Sequence, residues 1–153
     1  MPPGVRVGLT SPRSGAYAPR VLHLSPVRLE FVTDRHLATL TTLRPDGTPH
    51  VVPVAFTWDA EAGVARITTR RSTAKVRNAR RAPGEPLGRA ALCQVDGRRW
   101  LTLEGTVEVV EDPVEIADAL RRYGERYRHR EYDPERVVLR VTPDRAMSSS
   151  HLA

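Results

Sequence analysis

A proline in the middle of the most strand-like segment constrains this chain more than any other residue. The run HVVPVAFTW, residues 50 to 58, is β-branched and aromatic, the composition of a strand. Pro53 lacks an N–H and cannot donate to a central ladder, so something other than a neighbouring strand must lie beside it. The flanking segments supply its partners. His36 to Leu43 is rich in Leu and Thr, and RPDGT at 44 to 48 provides the Pro and Gly of a hairpin turn. DAEAG at 59 to 63 turns the chain into VARITT at 64 to 69, RRSTAKVRNARR reads as a short helix, and PGEPLG at 83 to 88 breaks it. ALCQVD and RWLTLEGTVEVV flank a turn at Asp96 and Gly97, and Gly105 within the longer run predicts a bulge.

Helices frame these strands. Ser25 as N-cap and Pro26 at the first helical position open a helix over about 26 to 34, with Val27, Phe31 and Val32 near helical spacing. Asp112 followed by Pro113 opens another over 113 to 128, whose Ile116, Leu120, Tyr123 and Tyr127 share one face. Arg136 to Val141 reads as the last strand, and 143 to 153 as a weakly ordered end. Residues 1 to 24 hold four of the thirteen prolines without an apolar period and read as a flexible leader. The division is a leader (1–24), one domain (25–145) and a tail (146–153), in keeping with 153 residues. The class is mainly β (α+β): a six- to seven-stranded antiparallel barrel with flanking helices.

Composition removes several functions. No apolar run reaches the roughly 18 residues of a membrane helix, so no membrane role is expected. The first fifteen residues lack the apolar block of a secretory signal, and Cys93 is the only cysteine, which argues for the cytoplasm and against a disulfide scaffold. Cys93, Trp58 and Trp100 read as core residues. The five histidines are dispersed, without the spacing of a metal site. A net charge of +6 and a pI near 10.4 raise nucleic-acid binding. Arginine supplies 23 of the 24 basic residues, however, in a scattered distribution, and aromatics at 5% are too few for a stacking platform.

The junction TTRRSTAK, residues 68 to 75, carries the clearest chemical signal. Ser72 is a candidate N-cap, and the position three residues on, Glu or Gln in a capping box, is Lys75. A lysine in the first turn opposes the helix dipole by about 0.3 to 1 kcal/mol, and a bound anion reverses that sign. Thr68, Thr69, Ser72 and Lys75 would then form a phosphate cradle; the competing reading is a solvated basic helix. No nucleophile or acid–base pair accompanies it, and no catalytic residue is assigned. An anion site alone suits a cofactor that carries the chemistry itself.

LATLTTLRPDGTPHVVPVAFTW (37–58), ARITTRRSTAKVRNARR (65–81) and LCQVDGRRWLTLEGTVEVV (92–110) resemble the split β-barrel flavin and deazaflavin proteins related to pyridoxamine phosphate oxidase. HLATLTTLRPDGTPHVV, LCQVDGRRWLTLEG and RYGERYR are most similar to the actinobacterial reductases that use coenzyme F420, in the biliverdin reductase branch. The resemblance implies an FMN-binding-type split barrel, a homodimer with two interfacial cofactor clefts, and hydride transfer from reduced F420 to a small conjugated acceptor such as biliverdin. It implies that Val52, Pro53 and Val54 lie along the deazaflavin ring. Thr68, Thr69, Ser72 and Lys75 map onto its phosphate-binding segment, with Arg71 and Asn78 nearby. The C-terminal Arg-x-Arg-Leu motif of vitamin B6 oxidation is missing from VTPDRAMSSSHLA. FMN is the alternative cofactor, and an FMN oxidase or haem-handling protein of the same fold the alternative function. Arginines among Arg77, Arg80, Arg81, Arg126, Arg128 and Arg130 are expected to be exposed at the cleft mouth and to attract the cofactor's anionic tail.

Overall fold

The structure, a computed structural model, describes residues 20–153; residues 1–19 of the expected leader lie outside it. In chain order the elements are α1 (Pro26–Thr33), β1 (Ala38–Leu43), β2 (Pro49–Val54), β3 (Thr57–Asp59), β4 (Val64–Arg70), α2 (Ala74–Ala79), β5 (Gly88–Asp96), β6 (Arg99–Val110), α3 (Pro113–Arg126) and β7 (Arg136–Ser148), then a 3-10 turn at Ser150–Leu152. The seven strands form one sheet in the order β2-β1-β5-β6-β7-β4-β3, and every pairing is antiparallel.

The segment expected to be one strand over 50 to 58 divides into β2 and β3, which occupy opposite edges of the sheet. Only Ala55 and Phe56 separate them, and a link that short spans at most about 11 Å. The sheet must therefore curl until its edges are neighbours, so the barrel is closed by the chain itself and not by a hydrogen-bonded ladder. The anticipated split barrel is the observed architecture. Pro53 fits because β2 pairs only with β1, where it stands opposite Thr39.

Alternation along the strands fills the interior. Leu40, Ile67, Leu92, Leu101, Leu103, Val107, Leu139 and Val141 are buried inside the curl, closed by Phe31 and Val32 of α1 and Val76 and Ala79 of α2. The inward turns of Leu92 and Gln94 leave Cys93 half-buried on the outer face, aligned with Thr39 and Thr102, so it is not the expected core thiol. α3 lies outside, packing Ile116, Ala119 and Leu120 on Val110 and Val138. Its N-terminus is capped as read, with Asp112 accepting from the Glu115 N–H at 3.2 Å.

The last strand is longer than its sequence suggests. Pro143 and Asp144 look like a breaker, yet β7 continues to Ser148 and Leu152 is buried at 3% exposure. The register of β6 against β7 shifts between Glu104 and Gly105, the bulge anticipated at that glycine, and Pro143 stands opposite it. A Cβ on Gly105 would lie 2.0 Å from the Thr142 carbonyl oxygen, so only glycine lets the two strands continue.

Candidate functional site

A gap in the sheet creates the site. β3 ends its pairing at Thr57 opposite Arg66, so β4 from Ile67 onward has no partner on that side. Facing this unpaired half of β4 is the end of edge strand β2. The cleft between them, about 190 Å³, is lined by Pro53, Val54 and Ala55 on one side and Ile67, Thr68 and Thr69 on the other. α2 contributes Lys75, α3 contributes Tyr123, and the chain entering β7 contributes Arg130 and Arg136.

Two side-chain groups of the lining residues lack a partner. Thr68 Oγ1 is buried with no hydrogen-bond partner, which costs free energy unless something pairs with it. Burial pushes the Lys75 ammonium below the ordinary lysine value, and no carboxylate among the described residues lies within ion-pair distance of it. Arg136 is lowered as well, by burial first and then by the positive field of Arg130, with Asp133 opposing. The cleft is thus electropositive at one end and apolar along Pro53 to Ala55, an environment for an anion attached to a flat uncharged body.

Five of the nine candidate residues, Pro53, Val54, Thr68, Thr69 and Lys75, line this cleft. Val52 turns inward and packs on the barrel core. Asn78 is buried and donates its Nδ2 to Thr42 Oγ1 at 3.0 Å, tying α2 to β1. Arg71 reaches away, to Glu111 at 3.1 Å and to the Pro134 carbonyl at 3.2 Å. Ser72 is exposed and is not the helix cap. That position is Thr73, whose hydroxyl donates to the Arg70 carbonyl and leaves the cap without a side-chain acceptor, and α2 is only six residues long.

The expected ring of exposed arginines is corrected at Arg126. Its guanidinium lies under cover, donating to the Phe56 carbonyl at 2.6 Å, to the Asp34 carbonyl and to Gln94 Oε1 at 2.7 Å. It stacks 4.6 Å above the Phe56 ring. Tyr127 assists, donating to the His36 carbonyl at 2.8 Å. Together they clamp the Ala55–Phe56 link that sets the width of the gap. Arg77 bonds to the Ser72 carbonyl, Arg81 to that of Asn78, and Arg80 pairs with Glu111. Arg130 lines the cleft from among the arginines expected at its mouth, whereas Tyr123 and Arg136 were not anticipated, because only the turn of α3 over the β4 end brings them there. The available signal was an aromatic pair at i and i+4 followed by Arg130.

The curled sheet, open along one seam and electropositive within it, defines a split β-barrel of the cofactor-binding type. Residues 24–149 match the pyridoxamine 5'-phosphate oxidase family, and the chain belongs to it. It is 46% identical over 129 residues to the F420H2-dependent biliverdin reductase of Mycobacterium tuberculosis, covering 84% of this chain and 90% of that protein. A solved structure of a conserved Mycobacterium tuberculosis protein superposes with a TM-score of 0.70 at 25% identity, covering 88% of this chain and 89% of the other. An F420 reductase superposes with a TM-score of 0.59 at 29% identity, covering 77% and 94%. Among the described residues no helix is long and apolar enough to cross a membrane, and no metal-ligand cluster occurs.

Proposed function

We infer that this chain is an F420-dependent oxidoreductase that reduces a conjugated organic acceptor of the biliverdin type. The observation that carries the reading is the cleft itself, where the half-buried Lys75 has no carboxylate partner beside the apolar wall of Pro53, Val54 and Ala55. A phosphate accepts from Lys75, and the anion offsets the burial of the ammonium. Arg130 and Arg136 add positive field at the same end. The names of the mycobacterial relative and of the F420 reductase neighbour support the choice of deazaflavin over FMN.

Reduced F420 supplies the hydride when bound. The chain's part is to position. Pro53 offers no N–H to compete for the ring, and the strand pairing of β2 keeps that wall straight. The Arg126 and Tyr127 clamp holds Ala55 and Phe56 and so holds the width available to two stacked planes. Such fixation would hold a bound cofactor and a flat acceptor against each other and limit the water between them.

The same reading makes the protein a cytoplasmic homodimer. The outer sheet face bears Val51 and Val95 at 56% exposure and Leu43 at 42%, with Thr39, Thr41, Ala91 and Cys93 between them. This mainly uncharged face, with Arg89 and Glu104 beside Ala91, supports burial against a second copy. Light scattering at micromolar concentration is expected to return twice the chain mass. Titration of F420 and FMN side by side, followed by the absorbance of biliverdin on adding reduced cofactor, tests the activity. Tight FMN binding with no F420 binding would overturn it.

A further inference from the structure

A second pocket adjoins the cofactor cleft, and its charge pattern is unlike the rest of the surface. It measures about 310 Å³ and shares Ala55 and Tyr123 with the cleft. Leu37, 61% exposed, and the Tyr127 ring give it apolar walls, while Arg35 and Arg128 provide its charge. No carboxylate lines it.

Elsewhere this chain matches most of its arginines. Arg66, Arg70, Arg71, Arg80, Arg89, Arg99, Arg121, Arg122 and Arg140 each pair with a carboxylate, and several others donate to carbonyls. Among the described residues only Arg20, Arg35, Arg98, Arg128, Arg136 and Arg145 have neither an ion pair nor a side-chain hydrogen bond. Three of those six, Arg35, Arg128 and Arg136, line the two connected pockets. The general abundance of arginine in the chain does not explain why partners are withheld there.

We propose that Arg35 and Arg128 form a carboxylate-binding subsite that selects an anionic, conjugated acceptor. This rests on the reading of the adjoining cleft as the F420 site. Tyr123 divides the two cationic regions, its hydroxyl accepting from Arg130 at 3.1 Å and its ring lying 5.1 Å from that of Tyr127. Lys75 lines only the cleft; Arg35 and Arg128 line only the second pocket. F420's anionic tail is joined to the ring through the phosphate, so a phosphate at Lys75 carries the tail away from Arg35 and Arg128. The carboxylates that reach those two arginines belong to a molecule stacked on the ring. A flat acceptor with carboxylate side arms fits aromatic walls capped by two guanidiniums.

The test uses biliverdin and its dimethyl ester, which differ only in charge at the side arms. In the double variant Arg35→Gln, Arg128→Gln, biliverdin binding to the cofactor-free chain, followed by absorbance, is expected to weaken about 5- to 20-fold, with KM rising in parallel. The diester is expected to show less than a twofold change. Arg35→Lys, Arg128→Lys retains the charge and is expected to recover most of the affinity. F420 with and without its glutamyl tail, titrated by fluorescence, reads the competing source of carboxylate. Equal losses for diacid and diester, or a loss confined to tail-bearing F420, would overturn the proposal. Failure of the wild-type chain to bind F420 sinks the cofactor reading instead, and the acceptor titration still reports on this pocket.

Discussion

Replacing Lys75 by Met keeps the side chain's length while deleting the one ammonium of a lysine in the chain. In the free protein that charge is unfavourable twice over. It is half-buried without a carboxylate, and it stands at the second position of α2, against the dipole. The dipole effect alone is worth about 0.3 to 1 kcal/mol, which for a domain of this size raises Tm by about 1 to 4 °C. The sign of the pH dependence follows from the lowered value. The unfolded chain holds the proton more tightly, so the penalty is full below the folded value and is relieved as pH climbs toward about 10.5. The gap in stability between Lys75→Met and wild type is therefore expected to be widest near neutrality and to close in alkali. With cofactor present the order reverses. A charge-assisted contact worth about 1.5 to 3 kcal/mol is lost, so F420 affinity falls about 10- to 150-fold. Thermal scans of the free chain and fluorescence titration of F420 read the two halves separately. A variant that binds F420 as tightly as wild type refutes the phosphate assignment, and one that melts lower without cofactor refutes the charge argument.

Three further outcomes are expected. Gly105→Ala drives a methyl into the Thr142 carbonyl and costs about 2 to 4 kcal/mol in urea unfolding, with no direct contact to the cleft. Arg126→Met leaves buried Gln94 Oε1 without its donor and removes the bonds to the Phe56 and Asp34 carbonyls, and costs about 1 to 3 kcal/mol; unchanged stability would show that the clamp is ornamental. At Asp59, burial raises the carboxyl, but the bond from Arg66 at 2.8 Å, the Ala62 N–H and Arg122 outweigh it and hold the value below the ordinary range. Its stabilisation is present above about 3.8 and lost as pH falls through the lowered value, so Asp59→Asn is expected to flatten that acid limb in pH-dependent denaturation.

The parts of this fold legible in the chain are those decided locally. Asp112 before Pro113 marks a helix start because capping involves only the next three residues, and Gly105 marks a bulge because a strand seldom keeps glycine without a backbone nearby. Lys75 was legible as an anion ligand candidate because it stands where an acid belongs. What escaped depends on distant partners. The division of 50 to 58 between two sheet edges is enforced by Arg126 and Tyr127, 70 or more residues away. The extension of β7 past Pro143 depends on the glycine opposite. Ser72 and Thr73 are equivalent as capping residues, and only the turn closed by Thr73 on Arg70 separates them.

The two edges of the sheet bear on solubility as well as on chemistry. A free strand edge invites another molecule to add a strand, the first step of ordered aggregation. β2 carries prolines at 49 and 53 and has lost two of its six backbone donors; β3 is only three residues long. Neither can template a neighbour. The seam that leaves Lys75 open to a small anion is therefore poorly suited to strand addition, and Pro53, whose missing N–H clears the wall of the cleft, is also a guard against ordered aggregation.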